Sequence, residues 1–144
     1  MERKRRNEVE AGIRKRGMRV TPQRYVILEY LRRFPGHPSV EEISREVNRR
    51  VPLASRATVY NTVAALESAG LISAVTFEDG VTRYDANLEP HHHFVCRICG
   101  TVADVPAGRV DVRVALREDH KMEEFELTMR GICSDCRSRG GKKK

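Results

Sequence analysis

The sequence predicts an α+β chain, with an N-terminal winged helix-turn-helix DNA-binding domain and a small C-terminal α/β domain stapled by a structural zinc site. Three observations predict it. Helical segments in succession are followed by two β-rich runs joined across Glu78-Asp79-Gly80, the order of a helix-turn-helix with a wing. Two C-x-x-C pairs, Cys96/Cys99 and Cys133/Cys136, bracket the C-terminal part at matched spacing. The net charge is +7, and residues 1–24 carry nine Lys/Arg against three Glu, so nearly all of the excess sits in one N-terminal arm.

Residues 7–16 place Val9 and Ile13 at helical spacing and stop at Gly17, a C-terminal cap. Thr21-Pro22 reads as an N-cap with proline at the first helical position, opening a helix over 22–33 that buries Val26, Ile27, Tyr30 and Leu31. The run Phe34-Pro35-Gly36-His37-Pro38 is a breaker-rich turn. Ser39-Val40-Glu41-Glu42 then matches a capping box, with Ile43 and Val47 turned inward. A further helix spans about 55–69, capped by Gly70. Strands follow at 71–77 and 81–85, and Asp79-Gly80 between them is a hairpin signal.

These elements make residues 1–85 the winged-helix domain and 86–90 a hinge. Residues 91–137 form the second domain: strands at 91–96 and 101–105, a helix over 110–117, and a strand-like run at 125–132. Residues 138–144 read as a basic, disordered tail. A half this small needs a staple, which the cysteines supply. Hydrophobic residues make up 40% and charged residues 33%, as in a soluble protein; aromatics are 6% with no Trp, so the core is mostly aliphatic. No apolar run is of membrane-spanning length, and the charged opening is not followed by an apolar signal region. The expectation is a cytoplasmic protein, where paired cysteines more often hold metal than form disulfides.

The chemistry gathers around His91-His92-His93-Phe94-Val95-Cys96-Arg97-Ile98-Cys99, which holds three of the five histidines and two of the four cysteines. Four thiolates fill a tetrahedral zinc site with no open position, so its role is structural, one Zn2+ per chain. A redox dithiol reading is weaker, because neither pair opens a helix after a βαβ pattern. His91 and His93 alternate along a strand and share a face, whereas His92 points the other way, toward solvent. Should His37, Asp85 and Asp104 converge on them, the five make a nitrogen/oxygen site suited to iron, manganese or zinc. Ahead of it, the helix from Ser55 offers Arg56, Thr58, Tyr60 and Asn61 in its first turns to base edges or phosphates, and Arg14, Lys15, Arg16 and Arg19 stand in the basic arm.

Gly17-Met18-Arg19-Val20-Thr21-Pro22-Gln23-Arg24, Ala57-Thr58-Val59-Tyr60 and His91-x-His93-x-x-Cys96-x-x-Cys99-Gly100 occur in the order of the ferric uptake regulator family, which the chain resembles over essentially its whole length. Within that family it is most similar to the peroxide-responsive repressors. The resemblance implies a regulatory Fe2+ or Mn2+, one per chain, on His37, Asp85, His91, His93 and Asp104. It also implies a homodimer assembled through the C-terminal domain and bound to an AT-rich inverted repeat of double-stranded DNA. Aspartate at 104 favours the peroxide-responsive branch, since iron-sensing relatives typically carry glutamate there. A further sensory site of some relatives uses a histidine where this chain has Phe125, and His120 reads as a surface residue.

The function expected is therefore a metal-dependent repressor that senses hydrogen peroxide through metal-catalysed oxidation of its histidine ligands, with those matching His37 and His91 as the targets. The alternative is an iron-, manganese- or zinc-responsive repressor without peroxide chemistry. A hydrolytic metalloenzyme is disfavoured by the lack of H-E-x-x-H and of a general base beside the cluster. A zinc-stapled interaction module leaves the basic arm and the second ligand set without a role.

Overall fold

The computed structural model describes residues 1–52 and 54–141. The chain divides into two compact units, Met1–Leu88 and Glu89–Lys144.

The first unit contains α1 (Glu2–Lys15), α2 (Pro22–Arg33), α3 (Val40–Arg50), α4 (Arg56–Ser68), β1 (Ser73–Thr76) and β2 (Thr82–Asp85). Local chemistry sets each boundary. At the end of α1, Gly17 adopts a φ of +72°, and the Gly17 and Met18 N–H groups donate to the carbonyls of Arg14 and Ile13 at 2.9 and 3.2 Å. That pairing satisfies the last carbonyls through a left-handed residue that glycine adopts without strain. Thr21 caps α2 by accepting from the Arg24 N–H at 3.3 Å. At α3, Ser39 and Glu42 exchange side-chain and backbone bonds at 2.8 and 3.3 Å. Ser55 caps α4 from one side only, accepting from the Thr58 N–H at 3.0 Å.

Val9 and Ile13 of α1, Ile27, Leu28 and Leu31 of α2, Ile43 and Val47 of α3, and Val59, Val63 and Leu66 of α4 close one aliphatic core. Two details depart from the sequence reading. Leu28 is fully buried, whereas Tyr30 is only half-buried and stacks on Phe34 with ring centroids 5.5 Å apart. Helix α2 is covered on more than one face, so its buried arc is wider than a single stripe. The wing, β1 against β2, runs antiparallel from Ser73↔Asp85 to Thr76↔Thr82. A bridge between Ser39 and Arg83, and the Tyr84 N–H donating to the Pro38 carbonyl at 3.0 Å, lay β2 along the turn that carries His37.

The second unit is a three-stranded sheet in the order β4-β3-β5, with β3 at His91–Cys96, β4 at Val102–Pro106 and β5 at Thr128–Gly131, followed by the short helix α5 (Ser134–Ser138). Strand β3 pairs antiparallel with β4 (His93↔Asp104) and parallel with β5 (His93↔Thr128, Cys96↔Gly131).

Here the structure corrects the sequence reading twice. The helix expected over 110–117 does not form: a 3-10 turn, Ala107–Arg109, is followed by a half-buried Val110 and then exposed chain without regular structure through 117. Val110, Val112, Val114 and Leu116 recur every second residue, which on a helix scatters them over opposite sides, and three are β-branched. Nor is the stretch from 138 onward a disordered tail from its start, because Ser138 closes α5 and residues 139–141 form a turn. Residues 142–144, the remainder of that expected tail, lie outside the described residues.

Candidate functional site

The two C-x-x-C pairs meet at one end of the sheet. Cys96 ends β3, and the tight turn after it is closed by the Gly100 N–H donating to the Cys96 carbonyl at 2.9 Å, with Gly100 at φ +74°. Cys133 and Cys136 lie at the start and within α5. All four cysteines are free thiols, with their sulfurs within 4.8 Å of one another. Cys99 Sγ and Cys133 Sγ are 3.7 Å apart. A zinc–sulfur bond of about 2.3 Å in a tetrahedron places sulfurs about 3.8 Å from each other, so the spacing fits that ion.

The backbone prepares the same chemistry. The Cys133 N–H donates to Cys96 Sγ at 3.4 Å and, with the amides of residues 98 and 99, draws the Cys96 thiol down to about 6. The Cys99 thiol is lowered first by its contact with the Thr101 hydroxyl. Burial instead pushes Cys136 up to about 12. A thiol that is costly to ionise alone, set with two that ionise more readily, belongs to a donor set that a dication neutralises.

The same strand carries a second donor set. His91 and His93 share a face of β3, and Asp104 lies opposite His93 on β4. The two Nε2 atoms are 3.2 Å apart, and His91 Nε2 is 3.7 Å from Asp104 Oδ1. His91 Nδ1 sits 2.7 Å from the Glu89 carbonyl, and His93 Nδ1 sits 3.1 Å from Glu126 Oε1. Oxygen acceptors at both Nδ1 atoms favour the tautomer protonated there, in which each Nε2 offers a lone pair to a cation beside Asp104. Two adjacent imidazole ligands on one ion, at metal–nitrogen distances of about 2.1 Å, stand about 3–3.4 Å apart. The donor chemistry and the spacing fit a divalent cation.

In the first unit, His37 Nε2 lies 3.7 Å from Asp85 Oδ2, and both side chains are buried. The Asn87 N–H donates to Asp85 Oδ1 at 2.9 Å and orients that carboxylate. Among the described residues His37 is the one non-glycine with positive φ, +50°, although a following proline disfavours helical backbone at that position. Such a conformation costs on the order of 1–3 kcal/mol, and residues held in it cluster at functional sites.

Two histidines stand apart. His92, expected at the surface, is buried: its ring packs against Phe125 at 4.9 Å, and its Nδ1 accepts from the Leu127 N–H at 3.4 Å. The segment before β5 covers that face of the strand, which alternation along β3 alone could not reveal. His120 is exposed beside Asp119, at 3.3 Å. Sequence reasoning missed Glu126, because no local pattern links a residue 33 positions away to the His93 ring.

The basic surface lies on the first unit. Arg14, Lys15, Arg16 and Arg19 are exposed at and after the end of α1, with Arg14 paired to Glu10 at 2.9 Å. Arg56, Thr58, Tyr60 and Asn61 are exposed on the first turns of α4. Arg56 and Tyr60 both reach Glu41 of α3, a residue the sequence did not single out.

Comparison with known proteins agrees with this geometry. The model of the ferric uptake regulator family matches residues 15–130. A peroxide-responsive repressor of Staphylococcus epidermidis is 31% identical over 133 residues, covering 90% of this chain and 89% of the relative. Among solved structures, a zinc-bound manganese uptake regulator superposes with a TM-score of 0.72 at 32% identity, covering 87% of this chain and 98% of the other. The ferric uptake regulator of Helicobacter pylori, at 23% identity and a TM-score of 0.67 over 95% of this chain and 94% of its own, shares the fold.

Proposed function

The chain belongs to the ferric uptake regulator family, and from that premise we propose that it is a dimeric, metal-dependent transcriptional repressor that releases DNA when peroxide oxidises its histidine ligands. It is a regulator rather than an enzyme. The observation that carries the reading is the presence of two donor sets of opposite character on one strand. The four thiols take a structural zinc with every position filled. His91, His93 and Asp104, with His37 and Asp85 as the further ligands, take the regulatory ion through nitrogen and oxygen.

Iron(II) held there supplies the redox chemistry that activates peroxide, which manganese(II) does not. The chain's own residues do the rest. The Glu89 carbonyl and Glu126 orient the rings of His91 and His93 through Nδ1, and His37 is buried on left-handed backbone beside Asp85. An oxygen added to the ring of His37 or His91 removes the basicity of its donor nitrogen, so the ligand set fails and the DNA-binding geometry is lost. Arg14, Lys15, Arg16 and Arg19 meet phosphates, while Arg56, Thr58, Tyr60 and Asn61 read bases in an AT-rich inverted repeat. The regulator acts in the cytoplasm; among the described residues no helix is long and apolar enough to cross a membrane.

The second reading, an iron-, manganese- or zinc-responsive repressor without peroxide chemistry, is favoured by the likeness to the zinc-bound manganese uptake regulator. One experiment separates the two. Protein loaded anaerobically with iron(II) or manganese(II) is treated with dilute peroxide, then assayed for DNA binding and for oxygen added to peptides containing His37 and His91. Loss of binding with oxidation of those histidines in the iron form alone supports the proposal. Equal responses with both metals, or oxygen found on cysteine instead, refute it.

A further inference from the structure

We propose that Glu41 is a specificity-determining positioning residue: it aligns Arg56 and Tyr60 for base contact while withholding Arg56 from the phosphate backbone. The inference rests on α4 as the recognition helix and adds an acidic group that a basic-surface argument would not put there.

One oxygen does the alignment. Glu41 Oε1 accepts from Arg56 Nη2 at 2.6 Å and from the Tyr60 hydroxyl at 3.1 Å. The Arg56 guanidinium also lies over the Tyr60 ring, 5.7 Å from its centroid. None of this is imposed by packing, since the Arg56 and Glu41 side chains are 70% and 44% exposed and Tyr60 is 42% exposed. Glu41 stands in the first turn of α3 and its carboxylate also accepts from its own backbone N–H, but it is not the capping-box residue. The capping box of α3 is made by Ser39 and Glu42, and Glu42 also faces Arg83 of the wing at 3.9 Å. The Glu41 carboxyl is held below the usual carboxylate range, first by its own backbone N–H and then by Tyr60 and Arg56, so it is ionised wherever DNA binding is measured.

The consequence differs between DNA sequences. A guanidinium carries five N–H donors in a planar fork, so Arg56 can keep its bond to Glu41 and still present donors to a base edge. At a matching site, Arg56 and Tyr60 arrive already oriented, and less freedom is lost on binding. On DNA without that pattern, Arg56 gains only by turning to a phosphate. Glu41, hydrogen-bonded to the same guanidinium, repels that phosphate with its negative charge and offsets part of the gain. An exposed pair of this kind shifts an equilibrium by about two- to fivefold. Glu41 therefore widens the ratio of specific to non-specific affinity.

The test uses the full-length, metal-loaded chain and two duplexes: one selected by the native protein from a randomised pool, and one scrambled from it. Affinities are measured by fluorescence anisotropy over a salt series. Glu41→Gln is expected to lower the selected-to-scrambled affinity ratio about fivefold, with the scrambled duplex bound no more weakly than before. Its salt slope on scrambled DNA should steepen by about one, because the released Arg56 neutralises one more phosphate. Tyr60→Phe removes one of the two bonds and moves the ratio the same way by a smaller factor. In an Arg56→Ala background, where Tyr60 alone still bonds Glu41, Glu41→Gln should move the ratio by no more than Tyr60→Phe does. An unchanged ratio in Glu41→Gln, or a parallel loss on both duplexes, overturns the proposal while leaving the recognition helix intact. A native protein that binds neither duplex overturns both.

Discussion

Removing one thiolate from the cysteine cluster should unfold the sheet of the second unit and leave the helices of the first in place. The structure gives the size of the effect. The continuous aliphatic core lies within residues 9–72, whereas among the described residues the buried apolar side chains of the second unit are Cys96, Val102 and Cys136, two of them zinc-ligand candidates. Full burial of one valine stabilises by about 1.5–3 kcal/mol, far too little to order three strands and a helix. Structural zinc in small peptides supplies about 10–16 kcal/mol of apparent binding energy. A quarter of that, about 2.5–4 kcal/mol, is two to three decades of metal affinity per ligand. Cys96→Ser should therefore lose zinc at chelator concentrations the native protein withstands. Hydrogen-exchange mass spectrometry reads the outcome. Protection should vanish over β3, β4 and β5 and persist over α2, α3 and α4. A Cys96→Ser protein that keeps its sheet protected after chelation, or stays a DNA-binding dimer, would falsify the structural-zinc argument.

Three further outcomes follow from other residues. Replacing Arg14, Lys15 and Arg16 with alanine should flatten the salt dependence of DNA binding by up to about 0.9 per lost phosphate contact, and an unchanged slope would show that the arm does not touch DNA. Burial raises the Glu29 carboxyl, but hydrogen bonds from Arg50 and Arg33, at 2.6 and 3.0 Å, outweigh it and hold the group below its ordinary value. A depressed carboxyl stabilises the fold above its unfolded pKa, near 4.3, and that contribution is lost as pH falls through the lower folded value. Glu29→Gln should therefore cost about 1.5–3 kcal/mol in urea melts at pH 7 and progressively less below about pH 4; a pH-independent difference would argue against the ion pair. Glu126→Gln weakens the partner of the His93 ring and should reduce manganese affinity at the histidine site about 10–100-fold, read by competition with a chelator, without releasing zinc from the thiols. No change in manganese affinity would make the Glu126 contact incidental.

The sequence by itself determined what rests on neighbours along the chain. Thr21-Pro22, the Ser39/Glu42 box and Gly17 carry their instructions within a few residues, and α2 and α3 begin where those signals stand. The Asp79-Gly80 turn is equally local: Asp79 accepts from the Val81 N–H at 2.9 Å, and Gly80 takes φ +72°. Residue types with metal-binding chemistry, Cys96, Cys99, Cys133, Cys136, His91, His93 and Asp104, were legible for the same reason, since ligand spacing on a turn or strand is a short-range property. Tertiary structure decided whatever required a distant segment. His92 is buried because residues near 125 fold over β3, and Glu126 reaches His93 only because β5 joins β3 in parallel. Glu41 meets Arg56 and Tyr60 only because α3 packs beside α4. Residues 110–117 lack a helix because their alternating valines give it no single face to bury, a pattern already present in the chain. A one-dimensional pattern states which side chains can act; only the folded chain determines which partners surround them.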